Sequence, residues 1–85
     1  MPRYFVDTDD GTTSVVDREG FEFADPGAAR NAAIRALRDM AADSLPDGTS
    51  RTFRVAVRAN ARTLLYSATL IFEGHWEKGL PGAGN

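Results

Sequence analysis

The sequence predicts an α+β fold, in which one helix packs on one face of a mainly antiparallel four-stranded sheet to form a two-layer sandwich. A hairpin pattern opens the chain, a single alanine-rich helical pattern follows a short strand, and a second pair of alternating strands comes last. Because no crossover helix separates the strands of either pair, each pair is expected to be antiparallel. Residues 1–73 form one domain in this prediction, and the glycine-rich residues 74–85 form a flexible tail.

The first hairpin is predicted from two β-rich segments, residues 3–8 and 12–17, which flank Asp10-Gly11. That dipeptide is typical of a two-residue type I′ turn, which needs positive φ at both central residues. A three-residue loop with Gly11 in a bulge is the alternative. A further turn at residues 18–20 then leads into a short strand at residues 21–23.

The acidic run before Gly11 resembles the start of a calcium loop, but its spacing is wrong. An EF-hand loop needs oxygen ligands at positions 1, 3 and 5, glycine at position 6 and a bidentate acid at position 12. With Gly11 at position 6, Val6 falls at position 1 and Asp17 at position 12, where Glu is expected. The sequence therefore predicts a turn here and no metal site.

A helix is predicted from Asp25-Pro26, which supply a capping carboxylate and a residue pre-shaped for the first helical position. It should run to about Ser44 or Leu45 and stop at Pro46-Asp47-Gly48. One stripe is apolar and rich in alanine, which allows close approach to a sheet. Its members are Ala29, Ala33, Ala36, Leu37, Met40 and Ser44, flanked by Ile34 and Ala41, with Asn31, Arg35, Arg38 and Asp39 on the opposite side.

The second hairpin is predicted from strict alternation. Residues 52–58 place Phe53, Val55 and Val57 inward and Arg54, Ala56 and Arg58 outward. The chain then turns at residues 60–62. In the return strand, residues 63–72, one face is predicted to hold Leu64, Tyr66, Ala68, Leu70 and Phe72, and the other Leu65, Ser67, Thr69 and Ile71.

Charge is unevenly distributed along a chain whose net charge is −2. Residues 1–25 carry seven acids and two arginines, whereas residues 51–62 carry four arginines and no acid. Either these segments attract each other as neighbouring strands, or the arginines form a basic surface for a protein or nucleic-acid partner. The candidate contact residues are Arg51, Arg54, Arg58 and Arg62.

Few residues suit catalysis or cofactor binding. The single histidine, His75, lies in the tail, and the chain contains no cysteine and no glycine-rich phosphate loop. We therefore expect no enzyme activity and no cofactor. With neither a membrane-spanning apolar run nor the apolar region of a secretory signal at its start, the chain is expected to be cytoplasmic and not membrane-bound.

Trp76 is expected to fold back over an exposed apolar face that includes Leu65 and Ile71, or to contact a partner. A small chain without disulfides must pack well or share its core with a second copy. These considerations predict a non-catalytic interaction module, most simply a homodimer that uses a sheet edge or the second sheet face. The alternative is a nucleic-acid-binding regulator that uses the arginine-bearing strand.

Four features over about residues 1–58 are typical of a known family. They are Met1-Pro2-Arg3-Tyr4-Phe5, Asp10-Gly11, the D-x-x-G spacing of Asp17 and Gly20, and Asp25 leading to Ala28-Ala29-Arg30. The chain resembles short bacterial proteins of unknown function that begin M-P-R-Y-F. That family implies no catalytic residues. The order of elements is also loosely similar to HicB-type antitoxin domains, which would imply a small regulator that binds a protein partner.

Overall fold

The computed structural model describes residues 2–45 and 50–77 and confirms the predicted α+β fold. One helix packs against an antiparallel sheet. The elements, in chain order, are β1 (Arg3–Asp9), β2 (Ser14–Val15), β3 (Phe21–Glu22), α1 (Pro26–Ser44), β4 (Ser50–Asn60) and β5 (Thr63–Glu73).

The sheet has the strand order β2-β1-β4-β5, and β3 also pairs with β1. The sheet therefore has five strands in four lateral positions, because β2 and β3 follow one another along β1. Asp9 pairs with Ser14, which leaves a four-residue loop at residues 10–13. Within this loop the Asp10 N–H donates to the Thr13 backbone oxygen at 3.2 Å, so the tight turn is centred on Gly11 and Thr12, one residue later than the predicted Asp10-Gly11. Only Gly11 has positive φ there (94°), so the loop lacks the two positive-φ residues of a type I′ turn.

The helix has the predicted bounds, because its ends are set by local chemistry. The Oδ1 atom of Asp25 accepts a hydrogen bond from the Ala28 backbone N–H at 2.8 Å, and Pro26 is the first helical residue. Leu45 is already extended. The predicted stop at residues 46–48 lies outside the described residues. Within the described residues, no helix is both long enough and apolar enough to cross a membrane.

The core lies between α1 and the central strands. Its buried residues are Ala29, Ala33, Leu37 and Ala41 from α1, Phe53, Val55 and Val57 from β4, and Tyr4 from β1. The inward face predicted for β4 is thereby confirmed. Ala29 and Ala33 have no exposed surface, and their small side chains allow the helix to approach β4 closely. No residue of β5 is buried, because the helix covers β1 and β4 more than β5.

The β4–β5 pairing contains an irregularity that changes the predicted faces of β5. Val57 pairs with Tyr66, but the next pair is Arg58 with Leu64, so Leu65 is an extra residue in β5. A bulge interrupts alternation. Leu64 therefore shares the outer face with Arg58, and its predicted grouping with Tyr66 is wrong. Leu65 lines a small cavity together with Tyr66 and the first turn of α1, at Pro26, Gly27 and Arg30.

Candidate functional site

The four candidate arginines do not form one surface. Arg54 and Arg58 lie on the sheet face that points away from α1, because they alternate with the buried residues of β4. Arg51 has the parity of Phe53, and its guanidinium lies 5.8 Å from the centre of the Phe53 ring. Arg62 lies in the exposed turn between β4 and β5.

Arg58 joins three parts of the chain. Its Nε donates to Asp7 Oδ2 at 2.7 Å and its Nη2 donates to Asp7 Oδ1 at 3.0 Å, a bidentate pair between β4 and β1. Nη2 also donates to the Asp17 backbone oxygen at 2.9 Å, and the guanidinium lies 5.2 Å from the centre of the Phe5 ring. The Arg58 and Asp7 side chains are 17% and 25% exposed, so water screens this ion pair only in part.

Asp17 holds the segment between β2 and β3 against β1. One carboxylate oxygen accepts from the Val6 N–H at 3.1 Å, and the other accepts from the Glu19 and Gly20 N–H groups at 3.1 and 2.9 Å. Gly20 has a φ of 74°, and a Cβ atom there would lie 2.8 Å from Arg3 Cγ and 2.9 Å from the Tyr4 oxygen. The D-x-x-G spacing therefore has a structural cause: the acid binds the loop and the glycine allows its close approach to β1.

These contacts shift the carboxyl groups toward their ionised form. The hydrogen bond from Arg58 is the main reason why the pKa of Asp7 is lowered. Partial burial opposes ionisation of Asp17, but the hydrogen bonds from the backbone of Gly20, Val6 and Glu19 outweigh it, so the pKa of Asp17 is also lowered. The Asp7 hydrogen bond raises the pKa of Arg58. The network is thus held as fixed charges at neutral pH.

Arg51 holds the first hairpin loop. Its Nε donates to the Asp10 backbone oxygen at 2.7 Å and its Nη2 donates to Thr12 Oγ1 at 2.6 Å. Asp10 Oδ1 accepts from the Thr12 and Thr13 N–H groups at 2.9 and 2.8 Å, which lower its pKa. Asp9 Oδ1 accepts from the Gly11 N–H at 2.8 Å. The acidic run therefore builds the turn, as its sequence predicts.

The attraction predicted between the acidic first quarter and the arginine-bearing strand is confirmed by the Asp7–Arg58 and Asp10–Arg51 ion pairs. Sequence reasoning did not identify Asp7 and Asp17 as the partners of Arg58. The opposite charge of the two segments was the available signal, but it does not select a pair. Across residues 2–45 and 50–77, no three metal-binding side chains are grouped closely enough to hold an ion.

Arg54 differs from Arg51 and Arg58, because in the described part of the chain its side chain forms no ion pair or hydrogen bond. It lines a shallow cavity of about 340 Å³ on the sheet face away from α1. Asp9, Ala56, Ser67 and Thr69 also contribute to this cavity. Arg54 is thus the candidate arginine on the sheet that is free to contact another molecule.

The outer edge of β5 is unpaired within the described sheet. Between Thr63 and Phe72 the strand has no charged residue. Both predicted interface residues on it are exposed, Leu65 by 44% and Ile71 by 62%, as are Leu64 and Leu70. Trp76, which follows β5, is 71% exposed and so does not fold back over this surface. This unpaired edge and its exposed apolar side chains are called here the β5 edge (residues 63–73).

Comparison with known protein families places the chain in a family. A family model described as a domain of unknown function (DUF6894) covers residues 3–71, which extends from β1 nearly to the end of β5. This supports the resemblance to a family of unknown function and gives no support to a HicB-type likeness. No curated protein and no solved structure matches the chain.

Proposed function

Because the chain belongs to the DUF6894 family of domains of unknown function, to which no activity is assigned, we propose a function from its surfaces. The domain is a non-catalytic protein-interaction module, and it acts as a homodimer that forms through the β5 edge. The single observation that carries this proposal is the contrast between the two edges of the sheet.

One edge of the sheet is blocked and the other is open. Along β1, the two-residue strands β2 and β3 and the Asp17 carboxylate occupy the outer edge. Along β5, which is eleven residues long, the backbone donors and acceptors that point away from β4 have no partner in the described sheet. Natural proteins usually protect such an edge with charge, proline or a short strand. The segment between Thr63 and Phe72 has neither a charged residue nor a proline.

The small core gives a second reason for association. Three of its eight buried residues are alanines, and β5 contributes none. A chain of this size without disulfides gains stability by burying apolar surface against a partner. Leu64, Leu65, Leu70 and Ile71 are between 39% and 62% exposed, so pairing at the β5 edge would remove apolar surface from water.

The non-catalytic part of the proposal rests on the chemistry of the charged network. A general acid or base works best when its pKa lies near the working pH. The pKa values of Asp7, Asp10 and Asp17 are instead lowered, and their oxygens accept hydrogen bonds within the fold. His75 is exposed after the end of β5. These groups suit a structural role.

The nucleic-acid alternative has less support, because it needs several free arginines. Arg58 is engaged by Asp7 and Asp17, and Arg51 is engaged by Asp10 and Thr12. Of the four candidate arginines this leaves Arg54 on the sheet and Arg62 in the exposed turn, and two cations neutralise too little phosphate charge for strong binding.

The test compares two substitutions of the same kind at opposite sheet edges. Ile71→Lys places a charge on the β5 edge, and Val15→Lys places one on β2, where the native residue is 55% exposed. We expect the native protein and Val15→Lys to be dimers by native mass spectrometry and sedimentation velocity. We expect Ile71→Lys to dissociate about tenfold more readily, because each dimer contains the change twice and one cross-strand pair contributes about 0.2–1 kcal/mol.

A native protein that stays monomeric up to millimolar concentration would overturn the proposed homodimer. If Ile71→Lys leaves the dimer intact and Val15→Lys weakens it, the interface lies at the β2 edge and the proposed β5 interface is wrong. Circular dichroism of both variants confirms that each remains folded.

A further inference from the structure

Building on the proposed function, we propose how the second copy binds. β5 pairs antiparallel with β5 of the second copy, and the two-fold axis passes between the two Ala68 residues. The two sheets then continue as one eight-position sheet, with both helices on the same face. The inference rests on the order of side chains along β5.

Residues 66–70, which follow the bulge at Leu65, form a chemical palindrome centred on Ala68. The segment reads Tyr-Ser-Ala-Thr-Leu. On each side of Ala68 comes first a hydroxyl residue, Ser67 or Thr69, and then a large residue, Tyr66 or Leu70. An antiparallel strand that pairs with a copy of itself places each residue opposite the one equally distant from the axis. A palindrome therefore places residues of similar chemical character opposite one another.

The faces of the sheet restrict where the axis can lie. Residues directly opposite one another in an antiparallel pair point to the same face. A two-fold axis perpendicular to the sheet keeps the α1 side of both copies together. The axis must therefore pass between two copies of the same residue. Even-numbered residues then lie opposite even-numbered residues, and odd-numbered residues lie opposite odd-numbered residues. An axis at Ala68 pairs residues 66–70, which all lie in the part of β5 where alternation is uninterrupted.

The register with its axis at Ala68 pairs more compatible side chains than the registers with an axis at Ser67 or Thr69. It places Tyr66 opposite Leu70 and Ser67 opposite Thr69. An axis at Thr69 would instead place the hydroxyl of Ser67 opposite the apolar Ile71. An axis at Ser67 would place Ala68 opposite Tyr66. Aromatic–aliphatic and hydroxyl–hydroxyl pairs are among those that stabilise sheets.

The position on the axis also suits alanine. A residue on a two-fold axis meets its own copy, so a charged side chain there would be repelled and a bulky one would crowd. Ala68 is small and half-buried, and no residue of β5 is buried beneath α1.

Spin labels measure this register directly, because the native chain has no cysteine. The probe is the single-cysteine variant Glu73→Cys, at the exposed end of β5 that lies on the regular side of Ala68. With a rise of about 3.3 Å per residue, an axis at Ala68 gives a label separation of about 33 Å along the strands. An axis at Thr69 gives about 26 Å, and an axis at Ser67 gives about 40 Å.

We expect pulsed electron paramagnetic resonance to give a distance of about 33 Å for Glu73→Cys. We also expect Ala68→Cys to form a disulfide-linked dimer on mild oxidation, whereas the control Val15→Cys at the other sheet edge does not. A distance of about 26 or 40 Å in a dimer would overturn the Ala68 register while leaving the proposed function intact. Absence of any dipolar coupling in a protein that mass spectrometry shows to be monomeric would overturn both.

Discussion

Arg58 lies where β1, β4 and the loop between β2 and β3 meet. Its planar guanidinium donates to both oxygens of Asp7 and to the Asp17 backbone oxygen, which are contacts in different directions. Lysine carries the same charge but has no rigid fork of donors, so it cannot make a bidentate pair. The geometry of Arg58, and not only its charge, therefore stabilises the fold.

We predict that Arg58→Lys lowers the free energy of unfolding by about 1–2 kcal/mol, since it loses part of a charge-assisted pair that is mostly shielded from water. The matched control is Arg54→Lys on the same strand and face, which should change stability by less than about 0.5 kcal/mol. Urea unfolding followed by circular dichroism measures both. Equal losses in the two variants would contradict the structural role of Arg58.

Sequence alternation correctly predicted that Arg54 and Arg58 share a face, but it could not predict that they differ in role. The difference depends on Asp7, which is 51 positions away from Arg58 in the sequence. Whether the two side chains meet is decided by the register of β1 against β4. A slip of one residue would place Asp7 on the other face of the sheet.

At the scale of elements, α1 was the most predictable part of the chain because its signals are local. Asp25 and Pro26 define the start, and the spacing of alanines defines the buried stripe. The strands were predictable in type but not in connection. The four-residue loop and the extra residue at Leu65 depend on how two strands fit together across the sheet. Single-strand patterns do not contain that information.

The alanine stripe fixes the distance between α1 and β4. We predict that Ala33→Leu lowers the free energy of unfolding by about 1–3 kcal/mol, because Ala33 is fully buried and a larger side chain must push the helix from the sheet. Ala42→Leu is the control, since Ala42 is exposed on the same helix. Thermal and urea unfolding of both variants provide the comparison. A stabilising effect of Ala33→Leu would show that unfilled space lies beneath the helix.

In the whole molecule, the acidic first segment and the arginine-bearing strand β4, which are far apart in the sequence, lie next to each other in the sheet. Acids of the first hairpin and the following loop contact arginines of β4, and these contacts hold the outer strands to the centre. The carboxyl groups involved, Asp7, Asp10 and Asp17, all have lowered pKa values. Folding therefore favours their ionised forms, and global stability must depend on pH.

The direction of that dependence follows from the sign of the shifts. A carboxyl whose pKa is lower in the folded state stabilises the fold fully above its unfolded pKa of about 3.9, and this contribution is lost as pH falls toward the folded pKa. We predict a stability plateau above about pH 5 and a steady decline below about pH 4. Urea unfolding at fixed protein concentration and several pH values measures it.

Asp7→Asn identifies one source of the decline. This variant should be less stable than the native protein at pH 7, because Arg58 loses its ionised partner, and its stability should fall less steeply between pH 5 and pH 3. A single titrating group contributes at most about 1.4 kcal/mol per pH unit to that slope. The control Asp39→Asn, at an exposed position of α1, should keep the native slope. An unchanged slope in Asp7→Asn would mean that the Asp7–Arg58 pair does not link protonation to folding, and that other carboxyl groups hold the outer strands against acid.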